Sequence, residues 1–346
     1  MKRLLLSVCI LLSVNELYAY NISCVGDSLT YGWGGFGTNY TYELKKQLGV
    51  DVTMLGIGGQ TSSQIAVRMG IYPTSVTISN NTIPTAGSSC LLYFNPSFLP
   101  AGAINNIFVW GSVAGVYGHL TFTTDGTNSF FMPLSNATPV TVSGSTNWVS
   151  DVSKSLGDIN VIWAGRNDIG SPEVVKSNIT AIAAIAGTNT LYLSVLPWVG
   201  EANGTYAWKC RTNINGWLSI TFSNRYVDVL SVLQANASTN DQDIIDVEND
   251  ITPTSLRYDA GHLNGAGYTL VGQAVAEKIR EVFPPKLQIA VLGNTFKLTT
   301  DKIYSGYRLL KSNDLINWDA TETNTFDQII DANTNYMFFR LNFLQN

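Results

Sequence analysis

The sequence predicts an α/β protein built on a parallel β-sheet. Three stretches support this: the apolar runs 20–25 and 50–55 each lead into a glycine-rich turn and then a helical pattern, and the same order returns at 159–164. Repeated strand, glycine turn and helix is typical of parallel strands joined by helices. Between the second and third of these runs the pattern changes to short alternating segments, which indicates that a β-rich segment interrupts the α/β domain.

The first half of the chain gives these elements in order. Helices are predicted over 38–48 and 62–69, the second with Thr61 as its N-cap. From 70 to 157 the sequence is rich in Thr, Ser, Asn, Gly and aromatic residues. Within it, Asp125-Gly126 separates the alternating runs 118–124 and 128–132, which predicts a hairpin. We therefore expect a β-rich insertion over 70–157.

The second half returns to the α/β pattern. It predicts a helix over 172–186 with Pro172 in its first turn, strands over 191–196 and 226–230, a long aromatic loop over 198–216 and a short helix over 217–222. An amphipathic helix is expected over 265–283, with its apolar face at Val271, Val275, Ile279 and Val282. Pro284-Pro285 ends this helix, and the alternating runs in 286–346 predict a small β module.

Composition limits the class of protein and its partners. Only 13% of the 346 residues are charged, the net charge is −5, and no Lys/Arg cluster is present, which argues against nucleic acid as a partner. Residues 1–19 resemble an export signal, with Lys2 and Arg3 before the apolar run 4–14. That run is too short to span a bilayer, and no later one is long enough. We expect a secreted, soluble protein without a transmembrane segment.

Three cysteines, Cys24, Cys90 and Cys210, remain after removal of the signal. An odd number in an oxidising compartment allows one disulfide and one free thiol. Cys24 lies within the first predicted strand, where a buried thiol is expected, so the candidate bridge is Cys90–Cys210. Three cysteines and two histidines without close pairing do not match a zinc site, and no metal is expected.

Four loops carry the candidate chemistry. Ser28 follows the first strand, Gly59 the second and Asn167 the third, while His262 precedes the last helix. A serine at the end of a strand presents both its hydroxyl and its backbone N–H. Because the carboxyl ends of parallel strands share one edge of the sheet, we expect these four residues to lie close together.

Their chemical types complement one another. His262 suits the base that takes the Ser28 proton, and Asp259 suits the carboxylate that orients it. The N–H groups of Ser28 and Gly59 and the side-chain amide of Asn167 are candidate oxyanion donors. Each also has a plainer interpretation: a capping loop for His262, a turn for Asn167 and backbone geometry for Gly59.

Three further polar residues are expected to be structural. Asp27 and Asp168 flank the candidate donors and suit loop bonding or helix capping. The only other histidine, His119, is expected to be a surface or sheet residue of the insertion. A direct chemical part in the reaction is the less favoured alternative for each of the three.

The motifs resemble the blocks of the SGNH, or GDSL-type, hydrolase family of esterases and lipases. They occur in family order as Gly26-Asp27-Ser28-Leu29, Gly58-Gly59-Gln60-Thr61, Gly165-Arg166-Asn167-Asp168 and Asp259-Ala260-Gly261-His262. The resemblance covers 20–69 and 158–283. It implies a flavodoxin-like three-layer sandwich with a five-stranded parallel sheet, and ester hydrolysis without a cofactor. The insertion and the tail lie outside the minimal family domain, and Arg166 stands where a smaller residue is common, which suggests a changed pocket rim.

These observations predict a secreted serine esterase that acts through an acyl-enzyme. Export, low charge and many aromatics favour O-acetyl groups on a polysaccharide as the substrate. The aromatics also suit β cores and loop hubs, and those considered for a sugar surface are Trp110, Tyr117, Trp198, Tyr206, Trp208 and Trp217. The alternatives are a lipase or phospholipase, and a non-catalytic glycan-binding protein on the same fold. The oligomeric state stays open, as does whether the insertion covers the active site.

Overall fold

A computed structural model describes residues 20–97, 108–122, 128–292, 295–300, 307–320, 328–331 and 338–343. The chain divides into one unit at Asn21–Pro284 and another that contains Pro285–Asn346. The predicted export signal, 1–19, lies outside the described residues. None of the described helices is long and apolar enough to cross a membrane.

In the first unit, strands and helices alternate in the N-terminal and C-terminal parts, and strands predominate in the part between them. Its strands are β1 Asn21–Gly26, β2 Asp51–Gly56, β3 Thr74–Ile78, β4 Thr82–Ile83, β5 Cys90–Asn95, β6 Val109–Val113, β7 Val116–Phe122, β8 Ser129–Pro133, β9 Val140–Thr141, β10 Thr146–Ser150, β11 Ile159–Trp163, β12 Thr190–Leu193 and β13 Tyr226–Val227. Its helices are α1 Ser28–Tyr31, α2 Tyr40–Leu48, α3 Ser62–Arg68, α4 Pro172–Ala186, α5 Tyr206–Phe222, α6 Val229–Ala235, α7 Asp241–Glu248 and α8 Gly265–Val282.

Five strands form the predicted parallel sheet, in the order β13-β12-β11-β1-β2. The central strand β1 pairs on both sides, with Ile22 opposite Ile159 of β11 and Val52 of β2. Every residue of β11 is buried, which explains why four of its five residues are apolar. The order matches the flavodoxin-like arrangement, and the five-stranded parallel sheet is confirmed.

Two predicted helices show how the sequence determines packing here. Helix α8 contacts α2, and its residues Val271, Val275 and Ile279 are fully buried, as their spacing predicts. Helix α3 begins with a capping box, in which Thr61 accepts from the Gln64 N–H while the Gln64 side chain accepts from Thr61. Both helices therefore begin or pack where the sequence indicates.

The predicted β-rich insertion contains a closed six-stranded barrel. The strand order is β10-β3-β5-β8-β7-β6, and β10 closes it by pairing with both β3 and β6. Its interior is apolar, with Leu120, Phe131 and Trp148 buried. The predicted hairpin is confirmed by the antiparallel pairing of β7 with β8, although its turn residues lie outside the described part. The limits of the insertion, 70 and 157, stay predictions.

The structure corrects two elements of the second half. Most of the expected loop 198–216 is helical, because α5 starts at Tyr206 with Thr205 as its N-cap. Its buried residues Cys210, Ile214, Leu218 and Phe222 recur every four positions. The expected strand 226–230 is also shorter, since β13 ends at Val227 and Asp228 caps α6.

The expected Cys90–Cys210 disulfide is wrong. Cys90 lies on barrel strand β5 and Cys210 on helix α5, and both are buried free thiols, as is Cys24. Burial raises the pKa of Cys24 to about 12 and that of Cys90 to about 11. These two thiols therefore stay protonated at neutral pH.

The second unit consists of short antiparallel strands, as expected for residues 286–346. Strands β14 Leu287–Leu292, β15 Thr295–Thr300 and β18 Gln328–Asp331 form one sheet. Strands β17 Asp319–Ala320, β16 Tyr307–Ser312 and β19 Phe338–Phe343 form another. The Arg340 guanidinium lies 4.1 Å from the Trp318 ring centroid in this second sheet.

Candidate active site

Ser28 stands directly beyond the carboxyl end of the central strand β1. It is the first residue of the one-turn helix α1, whereas the sequence predicted a loop there. The N-cap is Asp27, which accepts a hydrogen bond from the Leu29 N–H at 3.0 Å. The first N–H groups of a helix have no partner within that helix, so the Ser28 N–H has none inside α1.

The loop before α8 brings His262 to Ser28. The His262 Nε2 atom lies 2.8 Å from Ser28 Oγ, across 234 positions of sequence. On the other side of the ring, His262 Nδ1 lies 2.8 Å from Asp259 Oδ2. The three residues chosen from the sequence thus form one hydrogen-bonded chain from carboxylate to hydroxyl.

The Asp259 carboxylate is fixed by its own loop. Its Oδ1 accepts the backbone N–H groups of Gly261 at 2.9 Å and of His262 at 2.8 Å. Burial raises the pKa of this carboxyl, but these N–H groups and the imidazole outweigh it and hold the pKa below its usual value. An ionised Asp259 favours the tautomer with the proton on Nδ1, which leaves Nε2 free to accept a proton from Ser28.

Gly59 and Asn167 lie in loops at the same edge of the sheet. Gly59 follows β2 and has a φ of 75°, the left-handed region that favours glycine. The Asn167 side-chain amide donates to the Gln60 backbone oxygen at 2.9 Å and lies 3.4 Å from Asp27 Oδ2. The structure therefore links the loops that carry Ser28, Gly59 and Asn167 through the Asn167 amide.

Asp27 and Asp168 have the structural contacts that the sequence suggested. Asp27 caps α1, and Asp168 accepts from the Ser62 backbone N–H at 3.0 Å and from the Ser62 hydroxyl at 2.5 Å. The Asn178 side chain, from helix α4, donates to that same hydroxyl at 2.8 Å. These bonds join the start of α3 to the loop after β11.

Arg68 is a supporting residue that sequence analysis missed. It is 1% exposed, and its guanidinium donates to Gln60 Oε1 at 2.8 Å and to the Gly26 backbone oxygen at 3.1 Å. It thus connects the end of β1 to the loop after β2. An arginine on the buried side of a short amphipathic helix gives no local signal of this role.

Arg166 is buried and does not line a rim as expected. Its guanidinium forms a bidentate pair with Glu201, at 2.6 and 2.5 Å, and donates to the Leu196 backbone oxygen. The same guanidinium lies 6.0 Å from the centroid of the Trp198 ring. Glu201 also accepts the Trp198 backbone N–H at 3.0 Å, so the pair fixes this tryptophan.

Two indole rings lie close to the histidine. The Trp33 and Trp198 ring centroids are 6.4 and 6.1 Å from that of His262. Of these two, only Trp198 was considered from the sequence. Trp110, Tyr117 and His119 instead contact one another on β6 and β7 of the barrel, as a sheet role for His119 requires.

Asp27 makes the stability of the protein depend on pH. Burial raises the pKa of its carboxyl to about 7, although the Leu29 N–H and the charge of Arg166 oppose this. In the unfolded chain the group loses its proton near pH 4, so between about pH 4 and 7 the folded protein holds the extra proton. The contribution of Asp27 to the free energy of unfolding therefore falls as pH rises through this window.

Asp27→Asn removes the titrating group and is expected to flatten this decline. Urea unfolding of both proteins at pH 4.5, 6 and 7.5 measures it. Asp151→Asn, at a largely buried carboxylate that pairs with Lys154, provides a matched control. A decline with pH as steep in Asp27→Asn as in the unsubstituted protein would contradict the assignment.

Comparison with known proteins gives a distant relative. No family model matches the chain. The chain is 25% identical over 272 residues to a tail spike protein of Salmonella phage epsilon15. The match covers 71% of this chain and 25% of the relative. The chain therefore spans about a quarter of the length of the curated relative it matches.

Solved structures with a similar arrangement share little sequence with this chain. A member of the lipolytic protein G-D-S-L family from Veillonella parvula is 12% identical, with a TM-score of 0.39 over 76% of this chain and 97% of that one. Axe2, an acetylxylan esterase from Geobacillus stearothermophilus, is 12% identical, with a TM-score of 0.39 over 75% and 94%.

Proposed function

We propose that the chain is a serine esterase that hydrolyses carboxylic esters through an acyl-enzyme. The observation that carries the proposal is the hydrogen-bonded chain Asp259–His262–Ser28, with 2.8 Å between the interacting atoms at each step. A serine hydroxyl is a weak nucleophile alone, and an adjacent base that is itself oriented by a carboxylate activates it. The four motifs that resemble SGNH hydrolases support the same reaction.

The reaction has two balanced halves. Ser28 Oγ attacks the ester carbonyl carbon while His262 Nε2 takes the hydroxyl proton, and the tetrahedral intermediate collapses as His262 returns that proton to the departing alcohol. Water then attacks the carbonyl carbon of the acyl-Ser28 and gives a proton to His262. His262 returns this proton to Ser28 Oγ as the bond to the acyl carbon breaks and the carboxylic acid departs. Asp259 stays ionised and stabilises the imidazolium in both halves.

The developing oxyanion needs donors, and three are proposed. They are the Ser28 N–H at the start of α1, the Gly59 N–H and the Asn167 amide. An asparagine side-chain amide has two donor hydrogens. Asn167 donates one to the Gln60 oxygen at 2.9 Å and the other to Asp27 Oδ2 over a longer 3.4 Å, and this second hydrogen is the one that would turn to the oxyanion. At such sites each donor contributes roughly 100- to 1,000-fold to the rate.

The preferred substrate is an O-acetyl ester on a polysaccharide, with secretion after removal of residues 1–19. The low charge and the exposed aromatic rings favour it over a charged substrate. The alternatives are an acylhydrolase of lipids and a glycan-binding protein without activity.

One assay separates these alternatives. Acetate release from a panel of acetylated polysaccharides is measured beside hydrolysis of p-nitrophenyl esters with acyl chains of two to sixteen carbons. We expect acetate release from a glycan and a steep loss of rate beyond short acyl chains. A preference for long chains would instead support the lipid acylhydrolase, and glycan binding without hydrolysis of any ester would support the binding protein.

A further inference from the structure

The edge of the sheet around His262 carries exposed aromatic rings that the reaction itself does not use. Trp33 is 49% and Trp198 is 40% exposed, although both lie near His262, whose side chain is only 17% exposed. Phe36 and Tyr258 are also exposed, at 84% and 50%, with their rings edge to face 5.0 Å apart, and the Tyr258 N–H donates to the His262 backbone oxygen at 2.9 Å. Exposed apolar rings grouped at a reaction centre indicate a binding surface.

Both tryptophans are held in place by the protein. The Trp33 N–H donates to the Ser28 backbone oxygen at 3.0 Å, and the Trp33 oxygen accepts from the fully buried Tyr268 hydroxyl at 2.8 Å. Trp198 is fixed by Glu201, and Gly261 lies against its ring so closely that a Cβ there would come within 2.7 Å of it. These bonds fix the backbone of both tryptophans, and the close approach of Gly261 restricts the Trp198 ring.

Phe36 has a backbone conformation that is unfavourable for a phenylalanine. Its φ is 48°, in the left-handed region, which disfavours residues other than glycine, asparagine and aspartate. Its ring gains little burial in return, at 84% exposure. Strain of this kind is typical of sites where the chain contacts a ligand.

The charges around these rings disfavour a phosphate headgroup. Arg166, over Trp198, is paired with two oxygens of Glu201. Arg257, next to Tyr258 in the chain, pairs with Asp246 Oδ2 at 2.6 Å. A phosphate would have to compete with Glu201 for Arg166 or with Asp246 for Arg257. An uncharged sugar ring needs only aromatic surfaces on which its C–H face can stack.

We propose that Trp33, Phe36, Tyr258 and Trp198 form the subsite for a pyranose ring that carries the ester. This inference rests on the proposed esterase function and names the alcohol part of its substrate. The sugar stacks on the indole rings beside His262, and this position brings the carbonyl carbon of its ester to Ser28 Oγ. The aromatic pair on the barrel, Trp110 and Tyr117, has no part in this subsite.

The test compares a cyclic with an acyclic alcohol at constant acyl group. Acetate release is measured from the peracetates of glucose, galactose, mannose and xylose, and from sorbitol hexaacetate. We expect the acetate of at least one pyranose to be hydrolysed with a higher kcat/KM than sorbitol hexaacetate. Trp33→Ala and Trp198→Ala should each lower the ratio of these two kcat/KM values by about tenfold, mainly through a higher KM for the pyranose ester. Trp33→Phe keeps an aromatic face and should recover most of the preference.

The controls separate this inference from the esterase proposal. Trp110→Ala removes an indole that is also 40% exposed, but on the barrel, and should leave the preference unchanged. An unchanged preference in both alanine variants, an equal loss in Trp110→Ala, or no pyranose preferred at the outset would overturn the subsite. Turnover that survives in Ser28→Ala would overturn the esterase mechanism instead. Thermal unfolding of each variant checks that it is folded.

Discussion

Ser28→Ala is expected to lower kcat for p-nitrophenyl acetate by roughly four to six orders of magnitude. The substitution removes the only atom that could form the acyl-enzyme in this arrangement, and His262 then has no hydroxyl to activate. The side chain is small and 8% exposed, and its backbone stays at the start of α1, so the fold should be kept. Steady-state hydrolysis with purified protein measures the change, and circular dichroism checks the fold.

Ser129→Ala gives the matched control. Ser129 is 6% exposed on barrel strand β8, so it is a serine of similar burial away from His262. Its activity should equal that of the unsubstituted protein. Turnover by Ser28→Ala within tenfold of this control would refute Ser28 as the nucleophile.

Asp259→Asn is expected to lower kcat by roughly a thousandfold to ten-thousandfold, with little change in KM. An asparagine keeps the shape of the side chain but can present an N–H to His262 Nδ1, which favours the tautomer with its proton on Nε2. That tautomer cannot accept the Ser28 proton. The ionised carboxylate that stabilises the imidazolium is lost as well.

The split between kcat and KM separates this role from a structural one. Asp259 contacts His262 and its own loop, so its loss should affect proton transfer more than substrate binding. Asp151→Asn again serves as the control, since it removes a carboxylate paired with Lys154 at 2.7 Å. A full-rate Asp259→Asn protein would show that this carboxylate does not orient the base.

The parts of the site that could be predicted are those determined by short motifs. Ser28, Asn167 and His262 each follow a recognisable strand or precede a recognisable helix, and parallel strands bring such positions to one edge. Asp259 is three residues from His262, so its loop closes locally. The five-stranded sheet was predictable because apolar residues dominate its longer strands and a helix follows each strand.

The parts that were missed depend on distant pairing or on competing local signals. Closure of the barrel requires β10 to pair with both β3 and β6, and register between distant strands is not encoded in either strand alone. Helix α5 was obscured by polar and aromatic residues, although Thr205 and the spacing of Cys210 and Ile214 indicate it in retrospect.

The aromatic surface was missed for a different reason. Trp33 and Phe36 are in a glycine-rich turn, where composition predicts only a loop. They lie near His262 and Tyr258 because the loop before α8 lies beside the end of β1. Only the folded chain shows that these rings and the nucleophile share one edge.

The most direct test of the central claim is covalent capture of the nucleophile. Diethyl p-nitrophenyl phosphate reacts with an activated serine, which gains a diethylphosphoryl group on its oxygen as p-nitrophenolate departs. We predict one such group on the peptide that contains Ser28, with esterase activity lost in proportion and no labelling in Ser28→Ala. Loss of activity with the label on another residue, or labelling of Ser28 with activity retained, would contradict the account.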